Sequence, residues 1–260
     1  MTGFSRWLLR RPSDDATARI FCFPYSGVGA SMFNRWPRWI GSVEVCPLQL
    51  PARENRVREP HFGTYEALAE NLVEPLLPYL DRPFVLFGHC AGALPAFETA
   101  ALLAERGLPL PLELVVSAQV APHHCPQNRF LDMDDEQLGE ELARVIVEGG
   151  GEPHPLLIEL TLEVLHQDLD ANRVYNRERP SLLPAGITAL HWADDTEIAP
   201  EQLLGWKEYA ADVGFPVLDG GHYAFLSAPE QLMELFASIF AERAKTGPAL
   251  RRTGHPGGHG

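Results

Sequence analysis

The segment Gly88-His89-Cys90-Ala91-Gly92 carries the clearest chemical signal in the chain. A thiol stands between two glycines, each two residues away. Thiols become reactive beside a base or at a helix N-terminus, where the thiolate is favoured. Glycines at those two positions suit a sharp strand-to-helix turn, because neighbouring backbone comes too close for a Cβ. Downstream, Asp194 and Asp195 lie in HWADDTEIAP, and His222 lies in DGGHYAFL. Nucleophile, acid and histidine in that order make a triad. The histidine takes the thiol proton or holds it in an ion pair, and the acid fixes the histidine's tautomer and stabilises its charged form. Asp195 is preferred as the acid, because it heads a D-x-x-I stretch followed by proline and a helix. Asp194 stands as the alternative.

A bare G-x-C-x-G pattern says little, since glycine is common. Its flanks give it weight. PFVLF is a short continuous apolar run, as in a buried parallel strand. ALPAFETAALLAERG has helical character and stops at a glycine. Cys90 therefore falls at a nucleophile elbow, over the carboxyl end of a sheet and at the positive end of a helix. The backbone N–H of Ala91 is one expected oxyanion donor. A second is expected from PYSGVGAS, at Ser26 or Gly27.

The elements that must hold these groups alternate along the chain. RIFCF, VEVCPLQL, PFVLF, ELVVSA, ITALHW and FPVLDG read as strands. TYEALAENLVEPLLPYL, ALPAFETAALLAERG and APEQLMELFASIFAERA read as helices. This predicts an α/β fold of the α/β-hydrolase kind, with a mostly parallel sheet and helices on both faces. Residues 122–184 break the alternation with helix-like pieces alone. They are expected to form a helical lid inserted into a single domain spanning residues 1–260. The first dozen residues read as a loose arm, and residues 245–260 as a disordered tail rich in Gly, Pro and Arg.

At 260 residues the chain can bury a full core. Its net charge of −14 argues against nucleic acid as a partner. No run is apolar for long enough to span a bilayer, and the N-terminus does not read as a signal peptide. A cytoplasmic, reducing compartment follows as the expectation, in which the four cysteines need not pair. Cys22 and Cys46 read as core. His123-His124-Cys125 reads as a loop at the lid entrance, and no metal is expected. His89 reads as structural, its ring turned from the pocket. Tyr25, Phe33, Trp36 and Trp39 read mostly as core, some of them at a pocket mouth.

Six segments taken together resemble a known family. They are FPYSGVGASMFNRW, QLPARENRVRE, GHCAGA, LHQDLDANRVY, ADDTEIAPEQLLGW and GGHYAFL. From about Ile20 to Phe240 the chain resembles the type II thioesterases of polyketide and non-ribosomal peptide biosynthesis. The resemblance implies a monomeric α/β-hydrolase with a flexible helical lid. It implies a substrate tethered to the phosphopantetheine of an acyl or peptidyl carrier protein, and no cofactor of the enzyme's own. Arg53, Arg56 and Arg58 form the basic cluster expected to dock that carrier. Two departures stand out. Ala52 occupies the place of the family's usual glycine, and Cys90 that of its serine. A serine acyl-enzyme is an oxoester, downhill from a thioester. A cysteine acyl-enzyme is itself a thioester, so exchange with a phosphopantetheine thiol is nearly isoenergetic. Relatives with cysteine at this place shuttle aminoacyl groups between carriers. Hydrolysis and carrier-to-carrier transfer are thus both expected activities.

Overall fold

The computed structural model describes residues 5–148 and 150–246, with side chains as far as Glu242. Eight strands form one sheet: β1 (Ala18–Phe23), β2 (Trp39–Ile40), β3 (Val43–Pro47), β4 (Phe84–His89), β5 (Glu113–Ser117), β6 (Gly186–Trp192), β7 (Val213–Gly214) and β8 (Val217–Leu218). Their spatial order is β2-β3-β1-β4-β5-β6-β7, with β8 also on β6. Only β2–β3 is antiparallel; the other pairs run parallel. Every residue of β1, β4, β5 and β6 is buried, as in strands covered on both faces, and PFVLF at β4 is a continuous apolar run for that reason.

FPVLDG does not form one strand. Pro216 lacks the N–H that a continuous ladder needs. Only Val217 and Leu218 of the segment are strand, as β8 on His191 and Trp192, while β7 lies just before it and pairs Ile187 and Thr188.

The described residues form five α-helices: α1 (Tyr65–Leu76), α2 (Ala93–Glu105), α3 (Asp135–Glu148), α4 (Pro155–Val174) and α5 (Glu230–Thr246). Thr64 caps α1 by accepting the Ala67 N–H at 3.2 Å. Helix α4 opens on Pro155, where a missing N–H costs nothing. Helix α5 packs on the sheet through Phe236, which meets Phe87 of β4 edge-on at 5.5 Å.

Helices α3 and α4 belong to the insertion between β5 and β6. They carry a small core of their own, made of Phe130, Leu138, Leu142, Leu165 and Leu169. The return of the insertion is tied down on α2. Tyr175 Oη donates to Glu98 Oε1 at 2.6 Å, and Arg177 forks onto both Glu98 oxygens at 2.8 and 2.5 Å.

The N-terminal arm is not loose from Ser5 onward. Trp7 and Leu8 are buried. Leu9 donates its N–H to Pro47 O at 3.1 Å, and Gln49 donates to Trp7 O at 2.8 Å. The arm thereby extends the pairing just past β3. The Arg56 guanidinium lies 4.1 Å from the Trp7 ring centre and supplies the cation half of a cation–π contact. At the other end, helix α5 runs to Thr246. The rest of the expected tail lies outside the described residues.

Candidate active site

The site is assembled at the carboxyl ends of four parallel strands. The chain leaves β1 toward β3 on one side and β4 on the other. Such a topological switch point is where open α/β sheets bind ligands. Phe23 pairs with Gly88, so the loop after β1 and the turn after β4 emerge side by side.

Cys90 stands directly after β4, as the first residue of a short 3-10 turn that leads into α2. Its φ is +48°, a left-handed conformation rare for a residue with a Cβ. The flanking glycines are sterically required. A Cβ on Gly88 would lie 2.3 Å from Gly92 O, and one on Gly92 would lie 2.8 Å from the carbonyls of Phe23 and Pro24. The Cys90 side is half-buried, whereas Cys22, Cys46 and Cys125 are buried. Burial pushes the thiols of Cys46 and Cys125 up to about 12 and that of Cys22 well above its ordinary value.

The acid and the histidine come from the loops after β6 and β8. His222 Nδ1 lies 2.9 Å from Asp195 Oδ2. Asp195 Oδ1 accepts the N–H groups of Glu197 at 2.7 Å and Ile198 at 3.3 Å, which locks the acid loop. Asp194 is exposed, and its N–H donates to Gly220 O at 2.9 Å. Of the two aspartates, Asp195 is therefore the one on the His222 ring. Burial works to lower the His222 pKa. Asp195, Cys90 and Glu197 outweigh it and raise the ring from 6.5 to about 10. These partners favour the charged ring.

His89, beside Cys90, is fully buried. Its Nδ1 is 2.9 Å from Ser117 Oγ, and its ring stacks on Phe225 at 3.9 Å. Burial and the neighbouring His222 hold its pKa well below the usual range. His123 is engaged with Tyr209 Oη at 3.1 Å, and Cys125 Sγ is buried near Gln119 and Ala121 O. Tyr25, Phe33 and Trp36 are buried, while Trp39 lies at the surface.

Two expectations need correction. Gly27, expected as an oxyanion donor, has its N–H committed to Asp168 Oδ2 at 2.7 Å. The Ser26 N–H makes no hydrogen bond among the described residues. The reason is a buried polar cluster that the strand pattern did not reveal. Asp168, on α4, also takes both terminal nitrogens of Arg53 at 2.8 Å and His61 Nε2 at 2.7 Å. Arg53 and Arg56 are consequently no surface patch, being 3% and 4% exposed. Arg56 is spent on Glu59 and Gln49 O. Arg58 alone of the three is exposed.

Two cavities meet this region. One of about 800 Å³ opens beside His222 and includes Arg129, Glu197 and Tyr223. The other, about 360 Å³, lies between the Gly27 loop and helices α3 and α4, with Val28, Leu142, Val145, Leu157 and Leu160 in its wall.

A mostly parallel sheet with a left-handed elbow after β4, an acid loop after β6 and a histidine loop after β8 defines an α/β-hydrolase. The thioesterase domain family model matches residues 18–241, and the chain belongs to that family of thioester hydrolases. It is 30% identical to the linear gramicidin dehydrogenase LgrE of Brevibacillus parabrevis, over 90% of this chain and 92% of that protein. Among solved structures it is similar to the RedJ thioesterase from the prodiginine pathway of Streptomyces coelicolor. That match has 32% identity, covers 86% of each chain and has a TM-score of 0.73. It is also similar to BorB, the type II thioesterase of the borrelidin biosynthetic cluster. There the identity is 25%, the coverage 92% of this chain and 99% of that one, and the TM-score 0.79.

Proposed function

We propose that the protein is a type II thioesterase that acts on acyl or aminoacyl groups held on a carrier protein's phosphopantetheine, through a Cys90–His222–Asp195 triad. The observation that carries this reading is a thiol at a left-handed elbow of a thioesterase fold, with a carboxylate-oriented imidazole beside it. Cys90 attacks the thioester carbonyl, and its proton resides on His222. The N–H groups of Ala91 and Ser26 receive the oxyanion. The tetrahedral adduct expels the phosphopantetheine thiol, which takes a proton from His222. Water then hydrolyses the Cys90 thioester, with His222 as base. The insertion of α3 and α4 serves as a lid, and the apolar cavity beneath it suits the acyl portion. Arg58 remains as the exposed cation for carrier docking.

Cys90 also supports transfer. Its acyl-enzyme is a thioester, so a second carrier's thiol can replace water with little change in free energy. Intact-mass analysis of a loaded carrier, an empty carrier and the enzyme separates the two outcomes. Free acid accumulating while the loaded carrier empties and the second stays empty supports hydrolysis. Acyl mass on Cys90 and then on the second carrier supports transfer. No acyl mass on Cys90 and no loss from the loaded carrier overturns both.

A further inference from the structure

The acid loop brings a second carboxylate to the same imidazole ring. Glu197 Oε2 lies 3.4 Å from His222 Nε2, the nitrogen left open by the Asp195 contact at Nδ1. Its other oxygen lies 2.8 Å from Arg129 Nε. Arg129 belongs to the helical insertion, where it also pairs with Glu141 of α3 and approaches Tyr223 Oη at 3.4 Å. Asp195 governs both partners of the ring. One oxygen orients the imidazole, and the other binds the Glu197 N–H and fixes where that carboxylate stands.

We propose that Glu197 is a positioning residue for proton transfer: it stabilises the imidazolium that forms when the Cys90 S–H bond breaks and an N–H bond forms at His222 Nε2, and Arg129 sets how much of its charge the ring sees. The proposal rests on the Cys90–His222 pairing described above. A carboxylate this close favours a charged imidazole, and a guanidinium on the same carboxylate offsets part of that effect. Burial lifts the Glu197 carboxyl above its ordinary range, while His222 and Arg129 pull it down. The other groups around the ring are accounted for. Asp195 sits at Nδ1. His89, held neutral by burial, meets the ring edge-on at 4.6 Å, and Tyr223 lies at 4.9 Å. From the insertion come Arg129, with Arg144 and Glu148 farther along the same cavity, and the exposed Asp194 of the acid loop lines it too.

The two substitutions carry opposite signs. Glu197→Gln removes a negative charge, so His222 should lose its proton at a pH lower by about one unit or more. Arg129→Gln unmasks Glu197, so that pH should rise. The readouts are an NMR titration of the His222 ring and the pH dependence of Cys90 alkylation by iodoacetamide, located by peptide mass mapping. Glu197→Asp should restore part of the wild-type profile. Both readouts work without substrate. A variant that keeps these shifts but acts on no thioester faults the proposed function and leaves this inference standing. The inference is overturned if Glu197→Gln, folded with an unchanged thermal midpoint, gives the wild-type titration and alkylation profile. It is also overturned if both substitutions move the profiles in the same direction, as general damage would.

Discussion

Asp168 accepts the backbone N–H of Gly27 at 2.7 Å, although 141 residues of chain separate them. The same carboxylate holds Arg53 through two hydrogen bonds and contacts His61. One side chain of the helical insertion thus shapes the loop after β1, which flanks the Cys90 turn. Asp168→Ala would leave Arg53 buried and unpaired. It should destabilise the protein by about 3–5 kcal/mol, read as a loss in the denaturant midpoint. Asp168→Asn should lose less, because its oxygen still accepts from Gly27.

The pH dependence of that cluster has a definite sign. Burial works to raise the Asp168 carboxyl, but Arg53 and His61 prevail and hold it below its ordinary 3.8. Its stabilisation is therefore present above about pH 4 and is lost as pH falls through the native value. The thermal midpoint of the wild type should drop more steeply below pH 4 than that of Asp168→Asn.

His222 works in the opposite direction. Its pKa is raised from 6.5 to about 10, so its pairing stabilises the fold fully below pH 6.5 and stops doing so as pH passes 10. In Asp195→Asn much of this linkage should vanish. The stability difference between wild type and variant should be larger at pH 6 than at pH 10.5 in urea titrations. Turnover of the variant should fall by about 10²–10⁴-fold, from loss of ring orientation.

Cys90→Ala should abolish the acyl-enzyme mass and lower thioester turnover by about a thousandfold or more. Cys90→Ser is the sharper probe. It should remove carrier-to-carrier transfer and keep a slow hydrolysis, because its acyl-enzyme would be an oxoester. Equal transfer by both forms would count against a role for the thiol in transfer.

Gly88→Ala should be far more damaging than a methyl group suggests. The added Cβ meets Gly92 O at 2.3 Å and Ala93 N at 2.5 Å, all backbone atoms of the elbow. Overpacking of this kind costs about 1–3 kcal/mol, and more where backbone must move. Soluble yield and thermal midpoint are the measurements.

The residues that the sequence made legible share one property: each is announced by its immediate neighbours. Cys90 is framed by two glycines, His222 sits in a glycine-rich turn, and Asp195 precedes its own loop cap. The central strands were legible because burial on both faces leaves them mostly apolar. What was hidden depends on distant encounters. Gly27 looked available because nothing local signals Asp168. Arg53 and Arg56 looked like a surface patch because a run of arginines carries no record of the carboxylates facing it. Glu197 gave no signal either, because its contact with Arg129 reaches across from the insertion. The arm looked loose because polar residues bracket the short apolar piece Trp7-Leu8-Leu9, and nothing local names its partners Arg56, Leu48 and Pro47.

That docked arm bears on how the chain tolerates trimming and tagging. A shortened chain starting at residue 12 would uncover the edge beside Pro47 and strip the indole from the Arg56 guanidinium. Arg56 is in turn the residue whose carbonyl closes the loop at Ala52, one position before Arg53. A cut made for convenience at a seemingly dispensable end would therefore be felt next to the buried cluster that shapes the rim of the candidate site.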